Sequence, residues 1–234
     1  MTTRKRPAKR PVRRAPRAVD GERKRDATRR TLHERALKLF QQRGVEATTM
    51  RDIAKAAGMS LGAAYYYFPS KEALVFAYYE SNQEENDRFA TTGTLRERLG
   101  ALFHHKLETI RPQRAMLASI LGHLVNPADP LSAFSTQSQA VRERAIAQFA
   151  RALGADVPVA QVPLVASALW LLHLAAMLLY VSDHSAEQRR THGLVDDGLD
   201  LLVPLLPVLA TPMGGALALR VMAALGRAGI SPSP

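Results

Sequence analysis

Thr48-Thr49-Met50-Arg51-Asp52-Ile53-Ala54-Lys55-Ala56-Ala57-Gly58-Met59-Ser60-Leu61-Gly62-Ala63-Ala64-Tyr65-Tyr66-Tyr67-Phe68-Pro69-Ser70-Lys71 is the stretch whose reading decides the fold. A threonine hydroxyl at its start can cap free helix amides, and Asp52 sits in the favourable first turn. Ile53, Ala54 and Ala57 recur on one helix face before Gly58 stops the helix. Ala-Gly-Met-Ser then makes a turn. Ser60 can cap a second helix, Leu61 to Phe68, whose small residues Gly62, Ala63 and Ala64 let the backbone approach a partner closely. Two short helices joined by a tight turn, the second with a small-residue face, suit entry into a DNA major groove.

Working outward, Leu32, Ala36, Leu39 and Phe40 place one apolar stripe on a preceding helix that Gly44 ends, and Ser70 starts a fourth helix from Lys71 to about Phe89. Leu95, Leu99, Leu102, Phe103, Leu107 and Ile110 mark the next amphipathic helix, closed at Pro112. Met116 to Leu124 predicts another, Asn126 to Pro130 a turn, and Leu131 to Leu153 one long helix ended by Gly154. No run alternates convincingly enough for a strand. The expected fold is all-α, with a disordered basic arm over 1–24, a three-helix helix-turn-helix unit over 25–75 and a larger helical domain over 76–230.

Val157 to Ser182 and Leu201 to Leu219 contain no charged residue. Each is long enough to pass a membrane criterion, yet Pro204, Pro207, Pro212, Gly214 and Gly215 interrupt the second. A helix buried on several faces, partly against a second copy of the chain, accounts for the first. No membrane association is expected.

The net charge of +11 is concentrated at one end. Residues 1–30 carry 13 Lys or Arg against three acids, a net of +10, which leaves +1 for the other 204 residues. Such a segment, rich in like charge and proline, reads either as a solubilising tail or as an arm for phosphates and the minor groove. The chain has no cysteine, so it has neither a disulfide framework nor a thiolate metal site. The N-terminus lacks the apolar run of a secretory signal, and a cytoplasmic location is expected.

The quoted stretch, through Lys71-Glu72-Ala73-Leu74, closely resembles the TetR family of bacterial transcriptional regulators over about residues 27–75. The resemblance implies a homodimer whose helix-turn-helix units lie in successive major grooves of a palindromic DNA operator. It also implies a C-terminal domain whose binding of an unknown small-molecule effector changes the separation of the two units. By the same resemblance Thr48 or Thr49 faces phosphate, and Ser60 caps the reading helix. Leu61, Gly62 and Ala63 face base edges, Tyr65 and Tyr66 lie on the backbone and groove wall, and Lys71 pairs with a phosphate. Leu61-Gly62-Ala63 offers no side-chain hydrogen bond, so readout is expected to rest on thymine methyls, the tyrosines, Arg51 and DNA shape. The alternative is a ligand-independent, architectural DNA binder acting through the basic arm.

No catalytic set, metal site or cofactor motif emerges. His104 and His105 are adjacent on a helix and so point about 100° apart, which prevents chelation of one ion from one face. Trp170, His173 and Met177 share one face of the uncharged helix and either line an apolar pocket with one polar group or belong to the core or a dimer contact. Phe103, Leu107, Met116 and Phe134 are further pocket candidates.

Overall fold

The computed structural model describes residues 17–126 and 128–227. They form eleven α-helices and, among the described residues, no strand. The helices are α1 (Arg17–Arg43), α2 (Met50–Ala56), α3 (Leu61–Tyr67), α4 (Lys71–Asp87), α5 (Leu95–Ile110), α6 (Arg114–Ser119), α7 (Leu121–Val125), α8 (Gln139–Leu153), α9 (Val162–Ser182), α10 (Arg189–Leu202) and α11 (Pro212–Arg227).

The first three helices close on Leu32, Ala36, Phe40, Val45, Ile53, Ala64 and Phe68, all essentially without exposure. Gly44 and Gly58 take positive φ values, +81° and +67°, where a β-carbon is disfavoured, and so make the two sharp turns. At Gly44 a β-carbon would also come within 3.2 Å of Ser119 Cβ, so the α1–α2 turn rests directly on the end of α6. α4 leaves this cluster and runs against α5 and α8, while α8 packs along α9.

Three differences from the sequence reading stand out. α1 begins at Arg17, so residues 17–24, read as part of a disordered arm, are helical; residues 1–16 lie outside the described residues. The expected helix from Leu131 to Leu153 starts only at Gln139. Before it, Ser132, Ser135 and Ser138 give their hydroxyls to the Leu124, Pro130 and Ser132 carbonyls, and that local bonding competes with helix. The Met116 to Leu124 helix is divided at Ile120 into α6 and α7. Beyond α10 the prolines at 204 and 207 turn the chain into a 3₁₀ segment, Val203–Ala210.

Val159–Ser182 is long and apolar enough by composition to cross a membrane, and half of it is buried among the other helices. Its other side meets α10 in an apolar groove of about 450 Å³ lined by Leu172, Leu179, Leu194, Leu201 and Leu205, each about half or more exposed.

Candidate nucleic-acid interface and internal cavity

Thr49 caps α2 in a reciprocal box. Its hydroxyl accepts from the Asp52 amide at 3.2 Å, and Asp52 Oδ2 accepts from the Thr49 amide at 3.0 Å. The Thr49 hydroxyl and amide hold the Asp52 carboxyl below its ordinary range, and Arg43 pairs with it at 2.8 Å. Ser60 caps α3 by accepting from the Ala63 amide at 3.2 Å. Between the two, Met59 N–H donates to Ala54 O at 3.0 Å and fixes the turn.

α3 buries only Ala64. Gly62 is exposed, with nothing within 4 Å of where a β-carbon would stand, while Leu61 and Ala63 are half-buried. Tyr65 and Tyr66 are 48% and 67% exposed, an unusual display for two adjacent aromatic side chains. Arg51 and Lys55 are exposed on α2. Two cations not singled out in the sequence join them. α1 carries the Arg25 guanidinium to 5.3 Å from the Tyr66 ring centre and that of Arg29 to 4.6 Å from Phe68. Their four-residue spacing on α1 is the signal that would have found them, once the helix is known to begin before residue 25.

Two expected phosphate contacts are placed differently. Thr48 is fully buried and its hydroxyl donates to Gly44 O at 2.7 Å, so it belongs to the core and leaves Thr49 at the start of α2. Lys71 donates to Val45 O at 2.8 Å and to Glu46 O at 3.3 Å. A cation in the first turn of α4 is poorly placed for that helix's dipole. It instead closes the carbonyl end of the α1–α2 turn.

Inside the larger helical part, α4 to α9 line a cavity of about 110 Å³. Trp170, His173 and Met177 line it, as one reading of their shared face held. Phe103, Leu107, Met116 and Phe134 do not. Leu107 and Met116 are fully buried core, Phe103 packs on Phe149 at 5.2 Å and borders the α9–α10 groove, and Phe134 stands edge-on behind Trp170 at 5.7 Å. The sequence reading missed Lys106, Tyr78, Asn86 and Arg142, which also form the wall. Lys106 had a visible signal, since it occupies a core position in the Leu99, Leu102, Phe103, Leu107, Ile110 stripe of α5.

Lys106 is 3% exposed, and its ammonium donates to Gln148 Oε1 at 2.9 Å. Burial pushes its pKa down to about 8, with the Asp87 carboxylate opposing. Burial, reinforced by the Lys106 charge, holds His173 neutral. Tyr78 Oη, Asn86 Oδ1 and both His173 ring nitrogens are buried without a hydrogen-bond partner. His104 and His105 point apart as expected: His104 lies 2.6 Å from the His192 ring nitrogen and 3.0 Å from Asp196, whereas His105 stacks on Phe89.

Residues 32–78 match the family model for bacterial regulatory proteins of the tetR family. The YuxN regulator of Bacillus subtilis is 39% identical over 84 residues, which are 32% of this chain and 29% of YuxN. The TtgR regulator of Pseudomonas putida is 32% identical over 122 residues, 48% of this chain and 57% of TtgR. The chain thus spans less than two thirds of the curated relatives it matches. A tetR-family regulator from Streptomyces coelicolor aligns over 85% of this chain and 89% of its own with a TM-score of 0.62 at 22% identity. NalD of Pseudomonas aeruginosa, titled the secondary repressor of the MexAB-OprM multidrug efflux pump, aligns over 76% and 95% at 0.54 and 19%. Such likenesses establish the fold, and over residues 32–78 the chain carries the helix-turn-helix of the tetR family of bacterial regulatory proteins.

Proposed function

We propose that the chain is a cytoplasmic repressor that binds a palindromic operator as a homodimer and is released when a small molecule enters the internal cavity. One observation carries the DNA side of this reading: α3 is capped and short, buries fully only Ala64, and exposes Gly62, Tyr65 and Tyr66 along one side. In the proposed complex Leu61, Gly62 and Ala63 approach base edges, and Thr49 and Ser60 stand at the starts of α2 and α3. Tyr65, Tyr66 and Arg51 lie along the groove wall, with Arg25 beside Tyr66. Lys71 acts there through the turn it holds, with any phosphate contact secondary.

The apolar α9–α10 groove supports assembly through these two helices, because a lone copy would leave its leucines in water. Release is supported by α4, which begins in the helix-turn-helix unit at Ser70 and carries Tyr78 and Asn86 into the cavity wall.

Gly62→Leu tests the reader. The position is open and helical, so the free protein should be at least as stable as the parent. In a groove the added side chain meets base edges, and operator affinity should fall by about 1–3 kcal/mol per half-site. Undiminished binding to a palindrome upstream of the chain's own gene, measured against random DNA, would remove α3 from the role.

A further inference from the structure

Among the residues lining the cavity there are two cations, Lys106 and Arg142, and no carboxylate. Arg142 is committed, its guanidinium donating to Ala133 O at 2.8 Å and Ser135 O at 3.2 Å. Lys106 is not. Among the described residues its only hydrogen-bond acceptor is the neutral Gln148 amide, and no carboxylate comes within ion-pair distance of it. A buried ammonium normally has an anionic partner, because the charge is costly to remove from water. In the same wall Tyr78 Oη and the His173 ring nitrogens are buried and unbonded, so further hydrogen-bonding groups are open to a polar ligand atom.

The rest of the wall is apolar, with Trp170, Leu174 and Met177 on α9 facing Ile110 and Leu117. The volume of about 110 Å³ is near that of cavities of about 150 Å³ that accept benzene, and well below the several hundred needed for a drug-sized molecule.

We propose that this cavity selects a small organic monoanion, a single-ring or short branched carboxylic acid, with its carboxylate on Lys106 and its apolar body against Trp170 and Met177. The inference deepens the ligand-release reading and rests on it only for the consequence, not for the binding. A cationic ligand of the same shape would meet Lys106 and Arg142 in a low-dielectric site and be rejected. A neutral one would leave the ammonium without an anion.

Trp170 is the chain's only tryptophan, so its fluorescence reports the cavity directly. Sodium benzoate, benzamide and benzylamine are titrated into the full-length protein and the affinities checked by calorimetry, with no DNA present. Benzoate should bind at least tenfold more tightly than benzamide, and benzylamine should not bind. Lys106→Met should remove the preference for benzoate and leave benzamide within twofold. Lys106→Gln, which keeps a polar end for Gln148, provides a second uncharged variant should the first fold poorly. Equal affinity for benzoate and benzamide, no benzoate binding, or an undiminished preference in both variants would each overturn the proposal. A parallel titration on operator DNA separates the two readings. Benzoate binding without DNA release retains the site and sinks the effector role, whereas DNA release by neutral or cationic ligands alone sinks the anion site and retains the effector role.

Discussion

A lysine placed among leucines costs stability, and Lys106 shows how much. Its pKa of about 8 in the fold lies below the ordinary 10.5, so between those values the unfolded chain binds the extra proton and stability rises with pH. Asp87, Arg151 and His173 are the charged or titratable groups that couple to it from α4, α8 and α9. Lys106→Met removes the penalty, which is worth up to about 3 kcal/mol, and leaves Gln148 Oε1 without its donor, which returns about 1–2 kcal/mol. The variant should therefore be somewhat more stable than the parent at pH 7, by about 1–2 kcal/mol. The gain should vanish towards pH 10.5, as read by urea midpoints at both pH values. A less stable variant at neutral pH would mean that the ammonium is already well compensated.

At the scale of elements, polar contacts tie the α1–α2 bend to α6 and α7, in addition to the packing of α1 on α6. Ser119 at the end of α6 bonds the Val45 amide, and His123 on α7 bonds Asp129 at 2.7 Å while lying 3.5 Å from Glu46 in the α1–α2 turn. The Asp129 hydrogen bond, with Glu46 and Glu72 nearby, raises the His123 pKa above its usual value. The contribution of protonated His123 is therefore complete below about pH 6.5 and lost as pH rises through the raised value. His123→Gln should lower the melting temperature more at pH 6 than at pH 8.5, by no more than about 3 °C because the pair is partly solvated. An equal loss at both pH values would leave the imidazole only a packing role.

Elements were legible in the sequence where local chemistry and packing agree. Thr49, Ser60 and Ser70 each cap the helix that follows, and Gly44 and Gly58 sit where the backbone turns left-handed. They were less legible where the two disagree. The apolar residues Leu131 and Phe134 suggested helix, but three serines bond backbone locally and hold the segment in turns. The site divides in the same way. The exposed Gly62, Tyr65 and Tyr66 of α3 stand out by residue type, whereas Thr48 and Lys71 carry polar groups whose partners, Gly44 O and Val45 O, become visible only after folding. The cavity needed six helices to meet, and no pattern within one helix reveals that Trp170 lies in its wall while Phe134 stands behind it.

At the scale of the whole molecule, two surfaces remain to be covered. Leu172 is 49% exposed on α9 and faces the groove with α10. Leu172→Arg should leave the fold intact and place a charge in the proposed subunit contact, giving monomers by sedimentation at micromolar concentration. A dimer that survives this change would place the subunit interface elsewhere. The second surface is the proposed DNA-facing one, and residues 1–16, outside the described residues, contain seven Lys or Arg by sequence. Deleting them should lower the slope of log affinity against log salt by about 0.9 for each phosphate that they neutralise in the complex. Preference among major-groove sequences should stay nearly constant. An unchanged slope would make the segment a solubilising tail.

The seventeen residues of α4 amount to a rigid rod about 25 Å long. Its first turn is clamped to the α1–α2 bend by Lys71, and its last turns face the cavity through Gln83 and Asn86. Such a rod converts angle into distance: a tilt of about 5° at one end displaces the other by about 2 Å. Across the two-fold axis of the proposed dimer that displacement doubles to about 4 Å, several times the tolerance of a hydrogen bond. A cavity too small for a drug-sized molecule is therefore large enough for leverage, since filling it has only to turn the rod.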